Sequence, residues 1–328
     1  DDYVLAHRDG TVFHQPAWSL AVQKTYRHAP LHLAAKKSDG SLAGVLPLFL
    51  VKSIFEGKIL VSIPYATYGG ILADDEDTER LLFEKAREIS VEHGAAYLEL
   101  RNVSPSHLDL PVIARYDTFI KSLPADPDDV LKGLPKKARA ATRNGLKILQ
   151  PRIGDELMDD VYDLYAYTLR RLGSPNYSRS LWRELKNNYG KNCVTLGVFE
   201  GDKMLAGVVS FIFRDTMVAY FSGSLPRGMK LGANNVMYVS LMEYAVKQGL
   251  RQFDFNRTRR NNSGPYAFKR HMGFEPSQLH YQIALNRSTT LPNLSPGNSG
   301  FSLAIKIWRH MPLFATRIAG GIVTRWIP

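Results

Sequence analysis

The segment Phe253–Pro276 reads FDFNRTRRNNSGPYAFKRHMGFEP. In its first residues the rings of Phe253 and Phe255 share one strand face, while Asp254 shares the other with Asn256. One carboxylate is thereby aimed away from the apolar side, where it can take a proton. Arg257, Arg259 and Arg260 follow, three guanidiniums in four positions that suit a polyphosphate or RNA backbone. Lys269, in an FK pair, offers a positive charge to a phosphate or to charge that develops during a reaction. Each residue also has a quieter use. Asp254 can pair with Arg257 or Lys269, the arginines can form a solvated loop, and Tyr266 with Phe268 can belong to the core.

The elements that would position these groups occur twice. LAGV appears at Leu42–Val45 and Leu205–Val208, an offset of 163 (205 − 42), each time after a Gly/Asp turn and before an apolar strand. Phe13 and Trp18 match Tyr177 and Trp182 at an offset of 164. Each half then has an amphipathic helix ending in Gly and a strand, so that Glu99 follows Gly94 by five residues and Asp254 follows Gly249 by five. Glu99 and Arg101 share a strand face as Asp254 and Asn256 do. The expectation is a duplicated α/β (α+β) unit with mixed sheets, hairpins giving antiparallel pairs and the helix crossover a parallel one. Its bounds are residues 1–125 and 150–286, the second being the expected catalytic copy because it alone has a glycine loop and the FK pair, joined by basic linker helices over 126–149 and followed by a linker and amphipathic tail over 287–328.

In the joining segment, Pro135 suits a helix start and Gly145 a helix end. Lys136, Arg139, Arg143 and Lys147 recur at steps of three, four and four and form one cationic stripe. That stripe is either a solvated face or, through Arg139 and Arg143, an anion site. In the second half the strand TMVAYFSG runs into SLPRGMKLGA and the helix NNVMYVSLMEYAVKQGL. Arg227, Gly228, Lys230 and Gly232, with Asn234 or Asn235 as helix cap, make a candidate anion cradle at a helix N-terminus. The plainer alternative is a turn that needs two glycines.

The chain has 328 residues, 45% of them apolar and 22% charged, enough for about two domains with a large core. A net charge of +11 favours an anionic partner: nucleic acid, a phosphorylated metabolite or a membrane surface. The single cysteine, Cys193, excludes an internal disulfide and any cysteine-rich metal centre. Nine histidines show no HExxH or other close ligand spacing, so no metal is expected, and His14, His28 and His271 read as structural. No apolar run reaches the roughly 18 residues that span a bilayer, and DDYVLAHRDG lacks the parts of a secretory signal. The expected location is cytoplasmic, free or peripheral on the inner face of the membrane.

The order of hairpin, basic glycine loop, helix, acid-bearing strand, short aromatic helix and GF resembles the GNAT acyltransferase fold. Duplication with the ending FDF…G-x-Y-x-FK…GFEP is similar to the FemAB-like branch, whose members carry two GNAT-like domains. DGTVFHQPAW, GVLPL, YGGILAD, YLELRN, LPKKARAATRNGLK, LGSPNYS and ANN extend the likeness to FemAB-like proteins of exosortase (PEP-CTERM) and exopolysaccharide systems. The loop departs from the Q/R-x-x-G-x-G/A pattern of that fold, and Asn256 and Thr258 stand where Gly and Ser are expected.

The resemblance implies transfer of an acyl or aminoacyl group from an acyl-CoA, an acyl carrier protein or an aminoacyl-tRNA to an amine of a cell-envelope or exopolysaccharide precursor, with no covalently bound cofactor. Such chemistry needs a proton acceptor for the amine and donors for the oxyanion. Asp254 is the expected base or amine-orienting group, with Lys269 to neutralise developing charge or a phosphate and Tyr220 as a proton donor or substrate contact. Arg227, Gly228, Lys230, Gly232, Asn234 and Asn235 would hold the carrier. Glu99, Arg101, Arg139, Arg143, Asn256, Arg257, Tyr266 and Phe268 would contact substrate. The competing class is a non-catalytic binder of anionic glycan or RNA on the same fold. After TTLPNLSPGNSG the tail carries Phe314, Ile318, Ile322 and Trp326 at steps of four. It reads either as a strap over a domain or as an interfacial anchor on an anionic membrane.

Overall fold

The computed structural model describes residues 1–286 and 299–327. The TTLPNLSPGNSG linker and Arg287 fall largely outside the described residues. Two six-stranded mixed sheets form the frame. In the first, the order is Ala29–Pro30, Phe49–Ser53, Gly57–Val61, Tyr97–Asn102, His280–Leu285, Val112–Ile113. In the second it is Ile120–Ser122, Gln252–Asp254, Thr216–Ser224, Lys203–Phe213, Cys193–Glu200, Gln150–Ile153.

Each sheet contains one parallel pair made through a helical crossover, Glu76–Glu92 or Ala233–Lys247. Val61 lies opposite Glu99 in one pair and Val218 opposite Asp254 in the other. The duplicated acids thus occupy the same register. The crossover helix of the first half starts where Asp75 accepts from the Thr78 amide at 2.7 Å, with Glu76, Asp77 and Glu79 stabilising the positive end of the helix dipole. The helices Pro16–Tyr26 and Arg179–Tyr189 pack on each other, and their equivalent Trp18 and Trp182 are buried. The halves pack through matching surfaces.

The halves also exchange strands. Beyond its acid, the first half sends Ile120–Ser122 to pair antiparallel with Gln252–Asp254, Ile120 opposite Asp254. The second half returns His280–Leu285 to pair antiparallel with Tyr97–Asn102, Ile283 opposite Glu99. Each acid strand is flanked by a parallel strand of its own half and an antiparallel strand from the other. The sheets therefore do not follow the expected bounds at 125 and 286. The swap satisfies backbone edges that would otherwise be left open beside the crossover.

The joining segment is not a solvated linker. Helices Pro127–Lys132 and Lys136–Leu146 pack on Ala233–Lys247, burying Val130, Leu134, Ala138 and Leu149 in the second core. Gly145 does not end its helix but lies inside it, where a Cβ would meet Val236 Cγ2 at 2.7 Å. Lys136, Arg143 and Lys147 are exposed on the opposite side. The tail helices Ser299–His310 and Leu313–Val323 lie on the helix Met158–Leu172, so the strap reading describes how the tail is held.

Candidate active site

The two acid strands converge on a loop, residues 61–70, to which no chemistry was assigned from sequence. Residues 61–70, through SIPYATYGG, are all buried, and Ile63 and Tyr65 are held at φ of 43° and 59°. A β-branched residue at positive φ is strained, so the surroundings must hold it in place. They do so through the loop's own backbone oxygens. Arg101 donates to the carbonyls of Ala66 (3.0 Å) and Ile63 (3.4 Å), Tyr220 to that of Tyr65, and Tyr281 to that of Thr67. In the second sheet the parallel pair covers only Thr216–Val218, although its strand continues to Ser224. The Tyr65–Tyr220 bond places the loop beside that unpaired length.

Under this loop lies Asp254. Its Oδ2 accepts from Tyr68 Oη at 2.9 Å, and its Oδ1 accepts from the Asn256 amide at 2.6 Å and Thr118 Oγ1 at 3.3 Å. Burial pushes the carboxyl above the usual carboxylate range, with the Asn256 and Tyr68 bonds opposing. Only 2% of the residue is exposed. The expected base is therefore sealed, and no amine can reach it without breaking the loop. Its bond to the Asn256 amide instead folds the chain into a left-handed residue, φ 66°, a conformation that Asn tolerates better than most residues. The Asn256 side chain continues the network to Thr67 and to the Arg257 amide.

Lys269 completes the turn from the other side. Its ammonium donates to the carbonyls of Phe255 (2.7 Å), Asn256 (2.8 Å) and Arg257 (3.4 Å). Burial pulls its pKa down to about 7 against the attraction of Asp254. With three carbonyls on three protons, it is a brace rather than a free charge. Asp254 and Lys269 together present Arg257, which donates to Tyr281 Oη at 2.7 Å and stacks on Tyr116 at 4.7 Å. A guanidinium carries five N–H donors, and the described side-chain bonds commit one of them.

Around Arg257 stand Glu99, Arg101, Tyr116, Tyr177 and Tyr220, drawn from both halves. Glu99 Oε1 accepts from Arg101 Nε at 2.7 Å, and its side chain remains 15% exposed. Tyr116, Tyr177, Tyr220 and Arg257 also keep some accessible surface. Tyr177 and Tyr220 feel both Arg101 and Arg257, while burial raises both phenols. Tyr116 differs. Burial raises its pKa too, but Arg257 and Arg259 outweigh it and bring the phenol below its ordinary value. Between the halves, a partly exposed carboxylate, a positioned guanidinium and an acidified phenol thus stand together.

Residues 130–270 match the family model of the acetyltransferase (GNAT) domain. Among solved structures the chain is similar to FemX, at 14% identity over 87% of this chain and 95% of that one, with a TM-score of 0.64. It is also similar to the C-terminal domain of a putative lysylphosphatidylglycerol synthetase from Agrobacterium fabrum (13% identity, 84% and 89% covered, TM-score 0.56). A tandem GNAT protein from the clavulanic acid biosynthesis pathway resembles it as well (14%, 88% and 94%, 0.52). No curated protein sequence matches. At these identities the likeness is one of fold: two tandem GNAT-like domains with mixed central sheets.

Within the GNAT-like second half, the glycine loop is closed by packing. A Cβ on Gly228 would meet the Leu205 carbonyl at 2.8 Å, and one on Gly232 the Ala141 carbonyl at 3.1 Å. Gly232, at φ 77°, caps the helix in place of the expected Asn234 or Asn235, and Asn235 turns to Met272 Sδ at 3.3 Å. Arg227 is held as a fork on Glu200, leaving Lys230 exposed. The two-glycine turn accounts for this segment. Tyr266 donates to Asp117 at 2.8 Å, and Phe268 packs on Tyr238 and Phe255. Arg139 donates to the Lys132 carbonyl at 3.0 Å, and Arg143 is exposed on the same helix. The three loop arginines are split, with Arg260 on Asp117 at 2.8 Å and Arg259 over Tyr116 at 5.5 Å, so they form no single polyphosphate fork.

Tyr220, expected as a proton donor, spends its hydroxyl on Tyr65. His14 and His28 are structural, both drawn to about 4 by burial. Cys193 is buried at a strand start. Among the described residues no group of three or more His, Cys, Asp or Glu is placed to hold a metal ion.

Proposed function

We propose that the chain is an N-acyltransferase or aminoacyltransferase. It moves a group from an anionic carrier, whether acyl-CoA, acyl carrier protein or aminoacyl-tRNA, to an amine of a cell-envelope or exopolysaccharide precursor on the cytoplasmic side. The observation that carries this reading is the cluster of Glu99, Arg257 and Tyr116, each keeping some accessible surface, over the turn that Asp254 and Lys269 hold. The GNAT match and the fold likeness to FemX support it.

The chemistry divides among these groups. The acceptor amine adds to the carrier's carbonyl carbon, and its proton passes to the Glu99 oxygen not bonded to Arg101. Arg257 stabilises the oxyanion of the tetrahedral intermediate. Collapse breaks the bond to the carrier thiolate or alkoxide, which takes the Tyr116 proton, and the phenol is restored from Glu99 through solvent. No covalent enzyme intermediate is involved.

The test supplies the purified chain with each class of carrier and an amino-sugar acceptor and follows the amide product by mass spectrometry. Arg257→Gln lowers kcat/KM by about a hundredfold with the fold retained. A carrier that binds without turnover under all these conditions would support the binder reading instead.

A further inference from the structure

The second tail helix inverts the ordinary pattern of a helix on a protein surface. Leu313–Val323 turns small and polar residues inward: Thr316 and Gly320, with Thr324 in the next turn, are buried. Asn176 Nδ2 donates to the Arg317 carbonyl at 3.3 Å and Tyr65 Oη to that of Thr324 at 3.0 Å. Outward, four residues apart, stand Phe314 (68% exposed), Ile318 (66%) and Ile322, and Leu303 and Ile307 are exposed in the same way on Ser299–His310. A helix that water alone faces would put such stripes against the core. Ile54 and Phe55, at a hairpin tip, extend the apolar surface, since the Ile54 amide donates to the Trp326 carbonyl at 3.4 Å.

Charge identifies the occupant. From Pro276 to Pro328 the chain contains no Asp or Glu. Arg317 is matched by Asp163 at 2.9 Å, but Lys306, Arg309 and Arg325 are exposed beside the stripe. A second copy would bring like charges together, whereas an anionic bilayer offers opposite charge and an apolar interior at once. Among the described residues no helix is long and apolar enough to cross a membrane. We propose that this face docks on an anionic phospholipid bilayer, with both helices in the interfacial plane, their apolar stripes among the acyl chains and the three cations at the phosphates. Docking does not depend on the transferase reading. Its consequence for the residues around Arg257 is position, because Tyr65, bound to the tail, has its ring 5.5 Å from that of Tyr177.

The test is flotation of the full chain with phosphatidylcholine vesicles, with and without phosphatidylglycerol, at low and high salt. The expected result is association with the anionic vesicles only, weakened by salt and reduced on the order of tenfold or more by Phe314→Ser with Ile318→Ser. Both side chains are exposed, so circular dichroism of the variant stays that of the wild type. Failure to float at low salt, or equal flotation of the variant, overturns the proposal. So does a wild-type dimer that the variant dissociates without any vesicle affinity.

Discussion

Glu99 and Asp254 are the same residue of a duplicated unit, each opposite a valine in a parallel pair and each flanked by a strand from the other half. Their surroundings differ. The buried loop 61–70 belongs to the first half and roofs Asp254, whereas the Glu99 side chain stays partly exposed and pairs with Arg101. Duplication has left two acids in equivalent frames with different work. One organises backbone, and the other is the base in the proposed reaction. Identical register therefore does not imply identical chemistry, because what covers a strand end decides whether a carboxylate acts on solvent or on its neighbours.

The largest effect expected from this contrast is on stability. Asp254→Ala strips an acceptor from the Asn256 amide, Tyr68 and Thr118, all buried, and costs about 3 kcal/mol in denaturant unfolding. Asp254→Asn keeps one acceptor oxygen and loses far less, with turnover retained. A fall in turnover without a fall in stability for the Asn variant would return Asp254 to the chemistry. Glu99→Gln should show the converse. Gln still accepts from Arg101, so stability falls by about 1 kcal/mol or less, while kcat drops about a hundredfold for lack of a proton acceptor. An unchanged kcat would remove Glu99 from the reaction.

The part of this contrast that sequence could show is the repeat. Spacing of LAGV, Trp18 with Trp182, and the two acids predicted equivalent units, and both tryptophans are core residues. Alternation also placed Phe253 and Phe255 together, and their rings lie 5.2 Å apart in one core. Alternation assigns a face but not its exposure. The roof over Asp254 comes from residues nearly two hundred positions away, Thr67 meeting Asn256 at a separation of 189. Strand exchange was equally hidden, since pairing Ile120 with Asp254 leaves no local mark. The glycine loop misled for a different reason: close approach to a ligand and close approach to Leu205 require the same missing side chain. Tyr116 has no motif at all, and only the two arginines beside it set it apart.

Lys269 sharpens the comparison most finely, because the first half has no described counterpart to its brace on the 255–257 carbonyls. Its pKa near 7 in the folded chain lies below the ordinary lysine value of 10.5. Between those values the unfolded chain binds more protons than the folded one, so stability rises with pH across that window. Below about 7 both states are protonated and the full cost of burying the charge is carried. The rise is at most about 1.4 kcal/mol per pH unit. Lys269→Met removes the titrating group while filling similar space. It should lower stability through the three unpaired carbonyls and flatten the slope between about pH 7 and pH 9. Parallel slopes for the two proteins, read from denaturant midpoints, would mean that the ammonium is hydrated and that Asp254 alone sets the turn under Arg257.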